Sequence, residues 1–331
     1  MKKRILWIAV DLAVAALVVL AVWIVNYKIP QEGIKAAAFS QGKATQDSFI
    51  ATKVVTDTED WHEKFADKFT DTVIAADTSY TSPDLSVQLS YSNYDTGILD
   101  KSGEGKHTKY GTKVSYVLAD IYVGDITCFR TAFAKDTYGV GYSEKLSDMS
   151  SKMKSVLAVN GDSYSNNRHR DNGTIIRNGV VYRSEQTDME TCVLNWDGTM
   201  DIYNPDQMDI QRLIEKGAYQ SWIFGPSLLD ENGKSKKSFR TWSYISQSHP
   251  RTALGYYESG HYCLLLVDGR QKDSRGMFLN EMAKIFEDLG CRAAYNLDGG
   301  HCSFMTFEDK TANHPYKPEH EVSDGIFICE Q

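Results

Sequence analysis

Proline is scarce in this 331-residue chain, with 7 residues, and cysteine scarcer, with 6, none of them in a Cys-x-x-Cys pair. The first scarcity excludes collagen-like and proline-rich low-complexity architectures. The second leaves zinc-ribbon and thioredoxin-like readings without support. No Gly-x-Ser-x-Gly elbow and no P-loop occurs, which disfavours acyl transfer and nucleotide hydrolysis by those devices. An EF-hand loop and a His-x-x-x-His pair are missing as well. Basic charge is in deficit, with 36 Lys and Arg against 44 Asp and Glu, a formal net charge of −8. Non-specific nucleic-acid binding needs a basic face, so no nucleic-acid partner is expected. The mean hydropathy of −0.40 excludes a polytopic membrane protein.

What is present in excess lies at one end. From Ile5 to Val25 the only charged or polar residue is Asp11. A helix of that length rises roughly 31 Å, enough to cross a bilayer's hydrocarbon core. Lys2, Lys3 and Arg4 precede it, which places the N-terminus in the cytoplasm and the remainder outside. A cleaved signal peptide has a shorter apolar core with a small-x-small site close behind. Here the nearest such site, Ala36 to Ala38, lies well downstream. The expectation is a single-pass signal anchor in the cell membrane through residues 5–25, with secretion as the alternative. Residues 1–28 hold four basic groups against Asp11, so the rest of the chain carries −11. Such a domain should not lie flat on an anionic membrane. An exterior location permits disulfides among Cys128, Cys192, Cys263, Cys291, Cys302 and Cys329, but six cysteines allow 15 connectivities and none is favoured.

The chain divides into a cytoplasmic tip and anchor (1–28), a stalk with an amphipathic helix and linker (29–112), and a main domain (113–331). Pro30 to about Ala51 is polar with small residues and reads as stalk. Thr56-Asp57-Thr58-Glu59 has capping-box spacing. It leads into Trp61, Phe65, Phe69 and Val73, one face of a helix that packs on the domain or a partner chain. Residues 77–111 read as linker, with one alternating stretch from Leu85 to Tyr91. Val114–Val123 and Ser155–Val159 read as strands, with a helix at Ser143–Lys154 before the second. Asn178-Gly179 and Asp197-Gly198 mark hairpins over Thr174–Arg183 and Cys192–Tyr203. Asp209–Lys216 reads as a short helix and Ile223–Leu229 as a strand. The last third alternates: strand Tyr262–Val267, helix from Ser274 or Arg275 to Leu289, strand Arg292–Leu297. That order implies a crossover between neighbouring strands. The expected class is α+β, a mixed β-sheet with flanking helices.

Three apolar runs end in an Asp beside Gly: Asn160-Gly161-Asp162, Asp268-Gly269-Arg270 and Asn296-Leu297-Asp298-Gly299-Gly300. A fourth element, Pro250-Arg251-Thr252-Ala253, sets an arginine at the start of another run. One Asp-Gly is usually only a turn, and one Arg usually a surface charge. Repetition at strand ends, where open α/β sheets place ligands, singles these out. Asp162, Asp268 and Asp298 are hard oxygen donors that could converge on Ca²⁺, or converge without any metal; no cofactor is required by the sequence.

In order, Val159-Asn-Gly-Asp-Ser-Tyr164, His249-Pro-Arg-Thr-Ala-Leu-Gly255, Val267-Asp-Gly-Arg270 and Tyr295-Asn-Leu-Asp-Gly-Gly-His-Cys-Ser303 resemble the motif set of the phosphodiester glycosidase family. The resemblance runs from about Val114 to Ile328. Its anchored layout is similar to that of Gram-positive envelope members, and bacterial relatives are described as exopolysaccharide biosynthesis proteins. It implies hydrolysis of a sugar-1-phosphate diester, such as a GlcNAc-1-phosphodiester, at the glycosidic bond, with a carbohydrate-phosphate as partner. It also implies Asp268 and Asp298 as catalytic carboxylates, the pair that an oxocarbenium-like transition state requires, and Arg251 as the phosphate fork. Asn160, Asp162, Arg270, Asn296, His301 and Ser303 would bind substrate, with Gly299 and Gly300 offering backbone amides. A non-catalytic module for phosphate-bearing glycopolymers and a metal-dependent phosphodiesterase are the competing readings. His301-Cys302 stands where the family usually has Gly-Ser, either adding a proton donor or filling space.

Overall fold

Runs such as Val156–Val159 and Tyr262–Val267 are apolar at every position, so both faces of those strands must be covered. The computed structural model describes residues 2–27, 29–31, 33–36, 50–99, 110–165 and 172–331, and it buries every residue of both runs. Two sheets supply the cover. The larger has seven strands in the order Ala293–Asn296, Arg251–Glu258, His261–Val267, Lys113–Val123, Leu85–Asp95, Ser79–Thr81, Ile74–Ala76. The other has five, with Ser155–Asn160 and Asp324–Cys329 at its centre. Alternate residues of Lys113–Val123 explain the layering, because strand side chains point to opposite faces. Val117, Ala119 and Ile121 enter a core shared with Leu157, Val159, Ile326 and Ile328 of the second sheet. Val114 and Leu118 face the other way, toward Met282, Ala283 and Phe286 of the helix Leu279–Asp288. The helix Leu146–Met153 covers the outside of the second sheet through Leu146 and Met149. The architecture is α+β, as expected: helix, sheet, sheet, helix, with every pairing among the described residues antiparallel.

Several local expectations hold, among them both hairpins and the helix Ile210–Lys216, capped by the Asp209 carboxylate and ended at Gly217. Others change. The Trp61 helix is one turn, Trp61–Lys64, capped by Asp60 rather than by a box at Thr56. Trp61 and Phe65 enter the core, whereas Val73 is exposed beside the edge strand Ile74–Ala76. The segment read as linker supplies sheet, because Leu85–Asp95 pairs along its whole length with Lys113–Val123. The stalk also adds strands: Ile34–Lys35 pairs with Thr137–Tyr138, and Ile50–Ala51 with Val180–Val181. The rest of that segment, residues 37–49, and Ala37-Ala38 with it, lies outside the described residues. The strand expected at Ile223–Leu229 is instead Ala218–Trp222. Ile223 and Phe224 donate their N–H groups to the Asp162 carboxylate, and Pro226 has none to give a ladder. The last helix begins at Leu279, not at Ser274 or Arg275. Gly276, at φ +99° and packed on the His249 backbone, breaks any earlier start.

Candidate active site

The strand register brings three chain segments to one sheet edge. The two strands expected to be neighbours, His261–Val267 and Ala293–Asn296, are separated by Arg251–Glu258, which runs antiparallel to both. Arg251, first in its strand, pairs with Val267, last in the second, and Ala253 pairs with Asn296, last in the third. One strand's beginning and two strands' ends therefore meet at one edge. There Arg251, Arg270, Asp298, Gly299 and Gly300 line a cavity of about 180 Å³. Phe224, Tyr244, Ile245, His249 and Pro250 complete its wall; of these only His249 and Pro250 fall in the sequence motifs, and neither carries an expected role. A separate pocket of only about 10 Å³, on the other side of Gly300 and Pro250, is lined by Asp268, His301 and Ser303, together with Asn313 and Tyr316. A larger cleft, about 560 Å³, lies among residues 54–62, 124–130 and Trp196, and no motif residue lines it.

The two arginines define the cavity's charge. Arg251 is buried; its Nε donates to Met277 O (3.0 Å) and its Nη2 to the carbonyls of Ile245 and Gln247. Burial, and then the charge of Arg270, push its pKa down to about 9, which still leaves it cationic at neutral pH. Arg270 donates from Nη1 to the Tyr316 hydroxyl (2.6 Å). Its Nη2 lies 3.3 Å from Nδ1 of His249, whose Nε2 is 2.7 Å from Tyr244 O. Because a carbonyl only accepts, Nε2 carries the hydrogen and Nδ1 accepts from Arg270. Neither arginine has a carboxylate within ion-pair distance among the described residues. Two guanidinium groups share one cavity with no carboxylate among the described residues in ion-pair contact, which suits the space to an anion.

Asp298 stands in the same wall. One carboxylate oxygen accepts from Gly299 N (2.8 Å), and the Cys302 and Ser163 side chains also bond to the group. Burial outweighs these bonds and pushes its pKa up to about 6. Asp268 is 3% exposed, and one oxygen accepts from Asn313 Nδ2 and His314 N, both at 3.0 Å. Its pKa is also raised by burial, against those hydrogen bonds. The Ser303 hydroxyl, beside it, has no hydrogen-bond partner among the described residues.

The other expected residues do different work. Gly299 N and Gly300 N are occupied, by Asp298 and Pro250 O, so these glycines make room rather than donate. A Cβ at Gly299 would fall 2.8 Å from Pro250 O, and one at Gly300, where φ is +70°, 3.1 Å from Arg270 Nη2. Asn160 is buried and donates to Asp298 O (2.7 Å) while accepting from Thr252 Oγ1 (2.6 Å). Asn296 is buried and donates to Gly225 O (2.7 Å). Asp162 lies in a buried cluster with Arg177 and Asp324: its backbone N–H donates to Asp324, and both its oxygens accept backbone N–H groups. None of these three lines the cavity. The aspartates read as possible Ca²⁺ ligands thus go to separate partners, and among the described residues no three His, Cys, Asp or Glu side chains group as metal ligands would. His301 donates from Nε2 to Pro318 O (2.8 Å) and stacks on His320. All six cysteines are free thiols; Cys263 and Cys291 lie 3.8 Å apart, sulfur to sulfur, in the core.

Comparison with known proteins bears on the family and the fold. The family model described as phosphodiester glycosidase matches residues 153–329. The "SPbeta prophage-derived uncharacterized protein YomE" of Bacillus subtilis (strain 168) is 33% identical over 197 residues, 57% of this chain. The matched part is 29% of that protein, so the chain spans under a third of this relative's length. The zebrafish N-acetylglucosamine-1-phosphodiester alpha-N-acetylglucosaminidase catalytic domain, auto-inhibited by its pro-peptide, has a TM-score of 0.55 at 21% identity, covering 76% of this chain and 90% of that one. A hypothetical protein from Synechocystis has a TM-score of 0.51 at 12% identity, covering 74% and 62%. At such identities the two structures establish a common fold.

Proposed function

The chain belongs to the phosphodiester glycosidase family, and on that premise we propose that it hydrolyses the glycosidic C1–O bond of a sugar-1-phosphate diester outside the cytoplasm, held to the membrane by its N-terminal helix. The observation that carries this reading is the pair of uncompensated guanidinium groups beside a carboxyl of raised pKa in one cavity. A phosphodiester supplies the missing negative charge, and Arg251 Nη1, outside the three carbonyl bonds, is the atom left to meet it. An anionic phosphate next to Asp298 further favours its protonated form. Asp298 then donates a proton to the leaving phosphate while Arg251 and Arg270 stabilise the charge that develops there. Asp268, in the adjacent small pocket, is the second carboxylate, with the Ser303 hydroxyl beside it for a sugar hydroxyl. Water adds at C1, and the products are free sugar and a phosphomonoester. The zebrafish enzyme's name makes GlcNAc the first sugar to try.

The detergent-solubilised full-length chain, incubated with a GlcNAc-1-phosphate methyl diester in ¹⁸O water, tests this. Label in the sugar is expected. Label in phosphate would replace the proposal with P–O cleavage, and binding without turnover across a panel of sugar diesters would replace it with a binding module.

A further inference from the structure

The segment after the membrane helix is bound to the domain almost at once. The helix ends at Tyr27, and Ile29 N still donates to Ile24 O (3.0 Å). Two residues later Gln31 N donates to Val140 O (3.0 Å), and Tyr142 donates its hydroxyl to Gln31 O (3.0 Å). Gly141 accepts Ile29 and Pro30 so closely that a Cβ would lie 2.9 Å from the Pro30 Cα. Ile34–Lys35 then pairs with Thr137–Tyr138. From Val25, the last residue of the apolar span, to Ile29 is four residues. Those four residues rise about 6 Å if helical and reach at most about 14 Å if extended. The headgroup layer is about 5–7 Å deep, so the Gly139–Tyr142 loop has no room to leave it by far. The exposed apolar groups there suit that depth: Ile29 and Ile34 are half exposed, with exposed Lys35 donating from Nζ to Lys135 O (3.1 Å) and Asp136 and Glu144 beside them.

The ledge does not line the cavity but is packed to its Asp298 wall through two intervening side chains. Tyr138, the partner of Ile34, stacks on Tyr164 with ring centroids 5.2 Å apart. The residue before Tyr164 is Ser163, whose side chain bonds to the Asp298 carboxylate. We infer that the domain sits on the membrane through the 139–142 ledge, and that the aglycone of its sugar-1-phosphate diester is a membrane-resident long-chain alcohol. This rests on the proposed function for the reaction and on the helix as an anchor for the geometry. Water adds across the C1–O bond, giving free sugar and the long-chain alkyl phosphate, with no other reactant required.

Two readouts test it separately on the full-length chain in vesicles. In the first, a fluorophore on Val140→Cys is quenched by headgroup-spin-labelled lipid, and inserting twenty Gly/Ser residues at Lys28 abolishes the quenching. An unquenched label in the parent overturns the docking. The second compares a soluble methyl diester with a vesicle-borne long-chain prenyl diester of GlcNAc-1-phosphate. The insertion is expected to leave the soluble rate within twofold and to lower the vesicle-borne rate about tenfold or more, as effective concentration at the surface falls. Equal effects on both substrates overturn the lipid aglycone. Turnover of neither overturns the proposed function and the aglycone together, while the quenching still decides the docking.

Discussion

Two arginine–aspartate clusters lie at neighbouring strand ends, and they differ in what their charges touch. Asp162, Arg177 and Asp324 are each at most 2% exposed and satisfy one another. Arg177 donates from Nε to Asp324 (3.0 Å) and from Nη1 to the carbonyls of Ile176 and Ser221, while Asp162 ties down Ile223 and Phe224. Arg251, Arg270 and Asp298 use the same side-chain types, but the arginines meet only neutral acceptors and all three face open space. The first cluster is closed and holds the chain together. The second is incomplete by one anion, and that deficit marks it for ligand binding.

The largest effect that would test this contrast falls on the closed cluster. Arg177→Leu leaves two buried carboxylates without their cation and should cost about 3–5 kcal/mol of stability, read as a lowered unfolding midpoint in urea. Turnover per folded molecule should change little. Unchanged stability would show that the cluster is not closed as described.

Next in size are the open-cluster variants. Arg251→Ala and Asp298→Asn should each lower kcat/KM at least about a hundredfold, about 2.7 kcal/mol, with the unfolding midpoint near that of the parent. Near-normal turnover in both would remove the site assignment. The pH profile carries the sign. Asp298 must hold its proton to donate it, and its pKa is about 6. Activity therefore falls as pH rises through about 6, and this limb should be missing from the residual activity of Asp298→Asn. A limb of opposite slope would make Asp298 a base or nucleophile.

Smaller again is Gly299→Ala. Its Cβ would sit 2.8 Å from Pro250 O, a backbone atom that cannot step aside without moving Arg251. Overpacking of this kind typically costs about 1–3 kcal/mol, and about a tenfold loss of turnover is expected. Full activity would mean that the loop has slack.

This contrast also explains what could be read from the sequence. The open cluster was legible because its residues sit where apolar runs stop: Val267 before Asp268, Leu297 before Asp298, Arg251 before Ala253. Run ends are local, and so are the Asn178-Gly179 turn and the Asp209 cap. The closed cluster was not legible. Asp162 looks like its two counterparts, but its meaning comes from Arg177, which reads only as a hairpin residue, and from Asp324, 162 positions away. Asn160 and Asn296 were misplaced for the same reason, since their acceptors are backbone carbonyls on distant segments. Tyr244, His249, Asn313 and Tyr316 come from aperiodic loops, where hydrophobic pattern carries no signal. His249 alone had a marker, its position two residues before Arg251. The Trp61 and linker segments failed differently: spacing of four suggested a helix, but Trp61 and Phe65 are taken up by the Gly198 and Gly260 turns and by Tyr122, and the helix stops after one turn.

The smallest expected effect isolates the role of Cys302 beside Asp298. Its thiol bonds to the Asp298 carboxylate and lowers that group's pKa, while burial holds the thiol itself protonated. A thiol is a weak donor and a hydroxyl a stronger one. Cys302→Ser gives a hydroxyl in place of the thiol and should stabilise ionised Asp298 more than the thiol does. The carboxyl pKa then drops below about 6, and the falling limb of the pH profile moves to lower pH with it, by less than about one unit. At pH 7 the variant should be slower by a factor of about 2–5, and at pH 5 nearly equal to the parent. A space-filling role for the sulfur predicts otherwise: the hydroxyl is close in size, so a uniform change at both pH values, or none, would assign Cys302 to packing.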